Sequence, residues 1–164
     1  MIEIDYCPLP YQEEFHLDER RFRLIVGGRR VGKSLSVLHD IVKHCLSTPK
    51  AFAWWISPTL TDARDVGFEA FMALEEDLRP VITYINKTRM KIGFSNGSSL
   101  TFKGAENEVS LRGRGLTYAY LDEAAFIKPN VWRKVIRPAL SDKRGKGVLG
   151  STANGRNWFW QAWG

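Results

Sequence analysis

Between Gly27 and Ser34 the chain reads Gly-Gly-Arg-Arg-Val-Gly-Lys-Ser, and the residues on either side of this stretch leave few folds open to it. Before it, Arg23-Leu24-Ile25-Val26-Gly27 is a short apolar run closed by glycine, the pattern of a buried strand that delivers the backbone into a tight turn. After it, Leu35, Val37, Leu38, Ile41, Val42 and Leu46 recur at helical spacing, which predicts a helix from Lys33 to about Leu46 with one face laid on a sheet. Strand, glycine loop and helix follow one another in that order.

In this setting Gly27, Gly32, Lys33 and Ser34 satisfy G-x-x-x-x-G-K-[ST], a phosphate-binding loop. Glycines let backbone N–H groups wrap the phosphates, the lysine neutralises β and γ charge, and the serine hydroxyl ligates Mg²⁺ at a helix N-terminus. Gly27, Gly28, Arg29, Arg30, Val31, Gly32, Lys33 and Ser34 are therefore the expected nucleotide-binding residues, with ATP and Mg²⁺ as ligands. A loop arginine either contacts the γ-phosphate or points at solvent, and residue type alone does not decide which for Arg29 and Arg30.

The strand–helix rhythm continues. Ala51 to Ile56 reads as a second buried strand, and Thr59 or Thr61 is placed to cap a helix running to about Leu78. Met90–Phe94 and Ser99–Phe102 flank Ser95-Asn96-Gly97-Ser98, whose Asn-Gly predicts a β-hairpin, read as an insertion near 88–103. Tyr118 to Leu121 and Lys146 to Ser151 are further strands, with a helix from about Asn130 to Leu140 between them, started by Pro129. The expected fold is α/β, a mainly parallel central sheet flanked by helices, in one domain over residues 1–164. Residues 1–22 form an N-terminal segment and 23–164 the core.

Asp122 and Glu123 end the Tyr118–Leu121 strand, where an aspartate holds Mg²⁺ and an adjacent glutamate orients or deprotonates the attacking water. Taken alone, two acidic residues fit the opening of a loop equally well; beside a phosphate loop they gain a role. Ser151, Thr152 and Ala153 end a later strand on the edge where parallel α/β sheets bind ligands. Gln12 precedes the first strand at a distance compatible with an adenine contact, and equally with a surface position. Arg112 and Arg114 lie among glycines in a loop, suited to a neighbouring subunit's site, to a phosphate backbone or to solvent. Trp54 and Trp55 are expected in the core, and Trp158, Phe159, Trp160 and Trp163 in core or partner packing rather than base stacking.

Charge bears on partners. The formal net charge of +6 attracts phosphate backbones without proving that one binds. No apolar run approaches the roughly 20 residues of a membrane span, and the chain opens without the features of a signal peptide, so a cytoplasmic protein with no membrane partner is expected. Cys7, Cys45, His16, His39 and His44 have no metal-ligand spacing; reduced thiols and no zinc are expected.

The succession GGRRVGKS, WISPTLTDA, SLRGRGLTYAYLDEAAF and GSTANGRN closely resembles the ATPase domain of the large terminase subunit of tailed bacteriophages, over nearly the whole chain. The resemblance implies a P-loop NTPase fold of the RecA/ASCE kind. It also implies a motor that hydrolyses ATP to drive double-stranded DNA into a procapsid. Such a motor works as a homo-oligomeric ring on the portal protein, with a small terminase subunit, in the bacterial host cytoplasm. By position, Arg29 is similar to the arginine acting within its own subunit and Arg112 to the one offered across the ring. Ser151, Thr152 and Ala153 are similar to the motif coupling hydrolysis to movement, and Gln12 to the adenine-contacting glutamine. Complete large subunits carry a C-terminal nuclease domain; the sequence stops at Gly164, so no nuclease activity is expected. Two other readings stand beside this one. A superfamily 2 helicase fragment fits Asp122-Glu123-Ala124-Ala125 but needs a second motor domain, and a truncated module would bind nucleotide without turnover.

Overall fold

The computed structural model of the chain describes residues 6, 8–27, 32–152 and 158–159, with Tyr11 described by its backbone alone. The strand before the phosphate loop is β1, Phe22–Val26, and the helix after it is α2, Lys33–Ser47, preceded by α1, Pro10–Leu17. Next come β2, Phe52–Ser57, and a helical stretch built of α3, Leu60–Asp62, a π-helical turn at Ala63–Phe68, α4, Glu69–Met72, and α5, Glu75–Leu78. Thr59 caps its start, the side-chain oxygen accepting from Asp62 N–H at 3.1 Å. Then follow β3, Ile82–Asn86, β4, Lys91–Phe94, β5, Ser99–Gly104, and β6, Tyr118–Leu121. A π-helical turn at Val131–Ile136 leads into α6, Arg137–Ser141, and β7, Lys146–Ser151, closes the order.

Seven strands form one sheet in the order β1-β7-β6-β2-β5-β4-β3. Every pairing from β1 to β5 is parallel, so Val26, Ser151, Leu121, Ser57 and Gly104 all end at one edge. β4 and β3 extend the sheet antiparallel. The expected hairpin is β4 and β5 joined through Gly97, whose φ of 85° is what its turn requires. Its second strand is also a full member of the parallel sheet, registered with β2 from Phe52↔Ser99 to Ser57↔Gly104. Neither β3 nor α1 was expected from the sequence.

Alternation along β2 sends the two adjacent tryptophans to opposite faces. Trp55 joins Phe102, Tyr118, Tyr120 and Val148 beneath Val37, Leu38 and Ile41 of α2 and Phe71 of α4. Trp54 joins Ile56, Ala119, Leu121 and Leu149 beneath Val131, Ile136 and Leu140, with Trp158 and Phe159. Each fully buried large aromatic contributes roughly 4–6 kcal/mol of transfer free energy, before conformational entropy is subtracted. Gly67 lies in the first π-turn because a Cβ there would meet Trp55 at 2.7 Å and Phe102 at 2.8 Å.

A buried polar knot fastens α1 to the sheet. Arg23 of β1 donates to Asp40 Oδ2 of α2 at 2.7 Å and to the Phe15 carbonyl of α1 at 3.1 Å. The Tyr118 hydroxyl donates to the same Asp40 oxygen at 2.6 Å. No helix among the described residues is long and apolar enough to cross a membrane.

Candidate functional site

The parallel edge gathers several of the predicted residues. β1 runs into Gly27, whose N–H donates to the Ser151 carbonyl at 3.2 Å, fixing the loop's entry against the end of β7. The loop's exit is Gly32, left-handed at φ 73°, which turns the chain into α2. Its carbonyl accepts from the Ser36 N–H at 3.0 Å and from the Ser36 hydroxyl at 2.9 Å. Lys33 and Ser34 thereby open α2 facing the end of β6.

There they meet the acidic pair. Lys33 Nζ donates to Glu123 Oε1 at 3.1 Å, the lysine side chain being 5% exposed and the glutamate 26%. Ser34 Oγ donates to Asp122 Oδ1 at 3.2 Å, and the Tyr120 hydroxyl donates to the same oxygen at 2.8 Å. Thr152 Oγ1 donates to Glu123 Oε2 at 3.3 Å, so both carboxylate oxygens of Glu123 are engaged. Ser151 Oγ accepts from the Ala125 N–H at 3.3 Å. Residues from β6, α2 and β7 thus converge on a few ångströms of one sheet edge.

Burial pushes the Asp122 carboxyl above the usual aspartate range, against the opposing pull of the Tyr120 hydroxyl and the Lys33 ammonium. Burial, reinforced by the negative charge of Asp122, likewise raises the Tyr120 phenol well above its ordinary value. Tyr120 therefore stays a neutral donor to Asp122. Glu123 sits at φ 48°, ψ 49°, the left-handed region in which a bulky side chain costs about 1–2 kcal/mol. That backbone turn points its carboxylate at Lys33 and Thr152 instead of continuing the strand.

Gln12 is 4% exposed and buried at the loop rather than on the surface. Its Oε1 accepts from the Leu9 N–H at 2.8 Å and its Nε2 donates to the Gly32 carbonyl at 3.0 Å, so it ties α1 to the loop's exit. Arg112 is not brought to this cluster; it is 66% exposed and lies 3.9 Å from Glu108. Gly28, Arg29, Arg30, Val31 and Ala153 lie outside the described residues. Trp54, Trp55, Trp158 and Phe159 are core residues, while Trp160 and Trp163 lie outside the described residues. Cys45 is a free, buried thiol, its pKa pushed up to about 12 by burial, and Cys7 lies outside the described residues.

Sequence reasoning missed Tyr120 and Gly150. Strand alternation was the available signal, since Tyr120 stands two residues before Asp122 and shares its face. Gly150 makes room for it: a Cβ there would meet the Tyr120 hydroxyl oxygen at 2.5 Å.

A family model described as the N-terminal part of the T4-like type of terminase large subunit matches residues 24–164. The terminase large subunit of Thermus virus P23-45 is 29% identical over an alignment 176 positions long, covering 96% of this chain and 36% of that protein. The chain thus spans about a third of the length of the curated relatives it matches. Among solved structures, the large terminase ATPase domain of Thermus phage P74-26 superposes with a TM-score of 0.84 at 27% identity, over 95% of this chain and 69% of that one. A large terminase from a thermophilic bacteriophage, solved in complex with ATP-γ-S, shares the fold, with a TM-score of 0.62 at 16% identity, over 80% of this chain and 32% of that one.

Proposed function

The chain belongs to the terminase large subunit family, matching its T4-like N-terminal type, and from that premise we propose that it is a Mg²⁺-dependent ATPase whose turnover drives double-stranded DNA into a procapsid. The observation that carries the proposal is the convergence of Lys33, Ser34, Asp122 and Glu123 on one sheet edge. Residues 1–164 act as one ATPase domain, in a ring on the portal protein with the small terminase subunit, in the bacterial host cytoplasm.

Each group has a task set by its chemistry. Backbone N–H groups of the loop between Gly27 and Lys33 cradle the phosphates, and Lys33 exchanges its contact with Glu123 for β- and γ-phosphate oxygens. A hydroxyl and a carboxylate 3.2 Å apart are the hard oxygen donors that suit Mg²⁺, so Ser34 would hold it directly and Asp122 from the strand end. The bound metal supplies charge neutralisation on the phosphates. Glu123, freed from Lys33 and still held by Thr152, orients the attacking water and takes its proton. Arg29 serves its own subunit's γ-phosphate and Arg112, exposed as a residue offered to a neighbour must be, serves the adjoining one. Ser151, Thr152 and Ala153 report the γ-phosphate to the rest of the fold. Gln12, tied to the loop's exit, contacts the adenine base. No nuclease chemistry is part of this assignment.

The test is steady-state phosphate release from ATP and Mg²⁺, with and without double-stranded DNA, beside Glu123→Ala. Release that depends on Glu123 and rises with DNA supports the motor. ATP binding without release would replace it with a nucleotide-binding module.

A further inference from the structure

The face of the sheet that carries Trp54 is covered unevenly. Over β6 and β7 it is packed by Val131, Ile136 and Leu140, as described above. Beyond β2 its side chains turn polar and basic. Trp54 is registered with Thr101 of β5, and Thr101 with Lys91 of β4, so the three stand side by side on one face, with Lys103 two residues further along β5. Here the surface is a groove of about 520 Å³, rimmed by the 106–114 segment.

Four cations line it: Arg89 from the turn before β4, Lys91, Lys103 and, from the loop with the left-handed Gly113, Arg114. Among the described residues none of the four is in an ion pair. Glu106, at the groove's rim, accepts from the Leu60 N–H at 2.8 Å. Lys103 Nζ donates to the Ser110 carbonyl at 3.1 Å. Burial, then the charges of Arg89, Arg114 and Lys91, lowers the Lys103 pKa. Holding four like charges together without counterions is unfavourable unless an anion meets them.

The aromatic floor says which anion. Lys103 Nζ stands 4.6 Å above the Trp54 ring and Lys91 Nζ 5.8 Å above Phe52, and Trp54 is only 2% exposed. Trp54 is thereby closed to stacking bases and Phe52, partly buried, lies beneath the Lys91 ammonium, so the groove offers charge rather than a base-reading platform. Such a surface fits a phosphate backbone whose bases are turned inward, which is a duplex.

We propose that the groove of Arg89, Lys91, Lys103 and Arg114 is a phosphate-backbone docking surface for double-stranded DNA, engaged without regard to sequence. The DNA partner rests on the function proposed above; the surface is assigned from its own geometry. It lies on β4, β5 and their flanking loops, apart from the Lys33–Glu123 cluster.

The experiment uses the full 164-residue chain, a mixed-sequence DNA duplex and, separately, polyglutamate. Binding is followed by fluorescence anisotropy over a salt series. The groove variant carries Arg89→Gln, Lys91→Gln, Lys103→Gln and Arg114→Gln; a control carries Lys128→Gln, Arg133→Gln, Lys134→Gln and Arg144→Gln, with the same loss of charge. The groove variant is expected to bind duplex about tenfold or more weakly at ~50 mM salt, with the slope of log K against log salt reduced by roughly 3 to 4. The control is expected to stay within about threefold of the parent. Arg89→Gln with Arg114→Gln alone, at the two exposed members, shifts the same readings in the same direction should the fourfold variant not fold. Equal weakening of groove and control variants, or parent-like binding by the groove variant, overturns the assignment. Tighter binding of polyglutamate than of duplex also overturns it, in favour of an acidic protein partner. Phosphate release without DNA, measured on the same samples, reads the ATPase assignment independently: its loss in the parent sinks that function while leaving the groove to be judged by binding.

Discussion

Lys33 Nζ and Glu123 Oε1, 3.1 Å apart, close the phosphate loop onto the end of β6 through one ion pair. If Glu123 takes the proton of the attacking water, Glu123→Gln keeps the shape and loses the base. Its steady-state phosphate release should fall by about 10²–10⁴ while ATP affinity stays within a few-fold. Lys33→Ala should instead abolish ATP binding, as read by fluorescent-nucleotide titration. Parent-like turnover by Glu123→Gln would remove Glu123 from that role.

Tyr120 holds Asp122 through one hydroxyl at 2.8 Å, and Gly150 leaves the room for it. Tyr120→Phe should destabilise the fold by about 1–2 kcal/mol in urea. It should also raise the Mg²⁺ concentration for half-maximal phosphate release several-fold. Gly150→Ala should shift the Mg²⁺ dependence in the same direction, because its Cβ displaces the same ring. An unchanged Mg²⁺ dependence in both would leave Tyr120 a packing residue alone.

Asp40 accepts from both Arg23 and Tyr118, and the Arg23 side chain is 4% exposed. Asp40→Ala strands a buried guanidinium and should cost about 3 kcal/mol or more. The urea midpoint should drop with little change in slope. A loss below about 1 kcal/mol would mean that the pair is solvated in place.

Burial lowers the His44 pKa to about 4, its ring lying 3.0 Å from Thr117 Oγ1 with Lys146 adding to the shift and Asp40 opposing it. The unfolded chain binds that proton near its ordinary pKa of about 6.5. Between roughly pH 6.5 and 4 the unfolded state therefore takes up more protons, and stability is lost as pH falls. The thermal midpoint of the parent should decline across that window more steeply than that of His44→Gln. Parallel declines would assign the pH response to other groups.

Much of this fold is legible in the sequence, where the signal is local. β1, the glycine loop and α2 follow from an apolar run, a glycine spacing and a helical period, and β6 and β7 from apolar runs ending in polar residues. What escaped depends on distant partners. β3 is an edge strand with Thr83 and Tyr84 exposed and Ile82 only half-buried, so no apolar alternation marks it. β5 looks like half of a hairpin until β2 supplies its other neighbour. The 60–78 helix contains a π-turn, and at Gly67 within it the backbone passes so close to Trp55 that a Cβ would meet the ring at 2.7 Å. The left-handed turn at Glu123 is hidden because nothing in a glutamate announces a positive φ. Gln12 stands out in the sequence, but its bond to Gly32 depends on α1, a helix that the sequence pattern does not mark.

Ser151 touches both halves of the site, its carbonyl accepting from Gly27 and its hydroxyl from Ala125. It therefore pins together two loops that follow different strands. A tilt of the segment after β6 would pull on the hydroxyl, and a shift of the phosphate loop's entry would pull on the carbonyl. Both loops are thus tied through one residue to β7, which lies between β1 and β6 in the sheet.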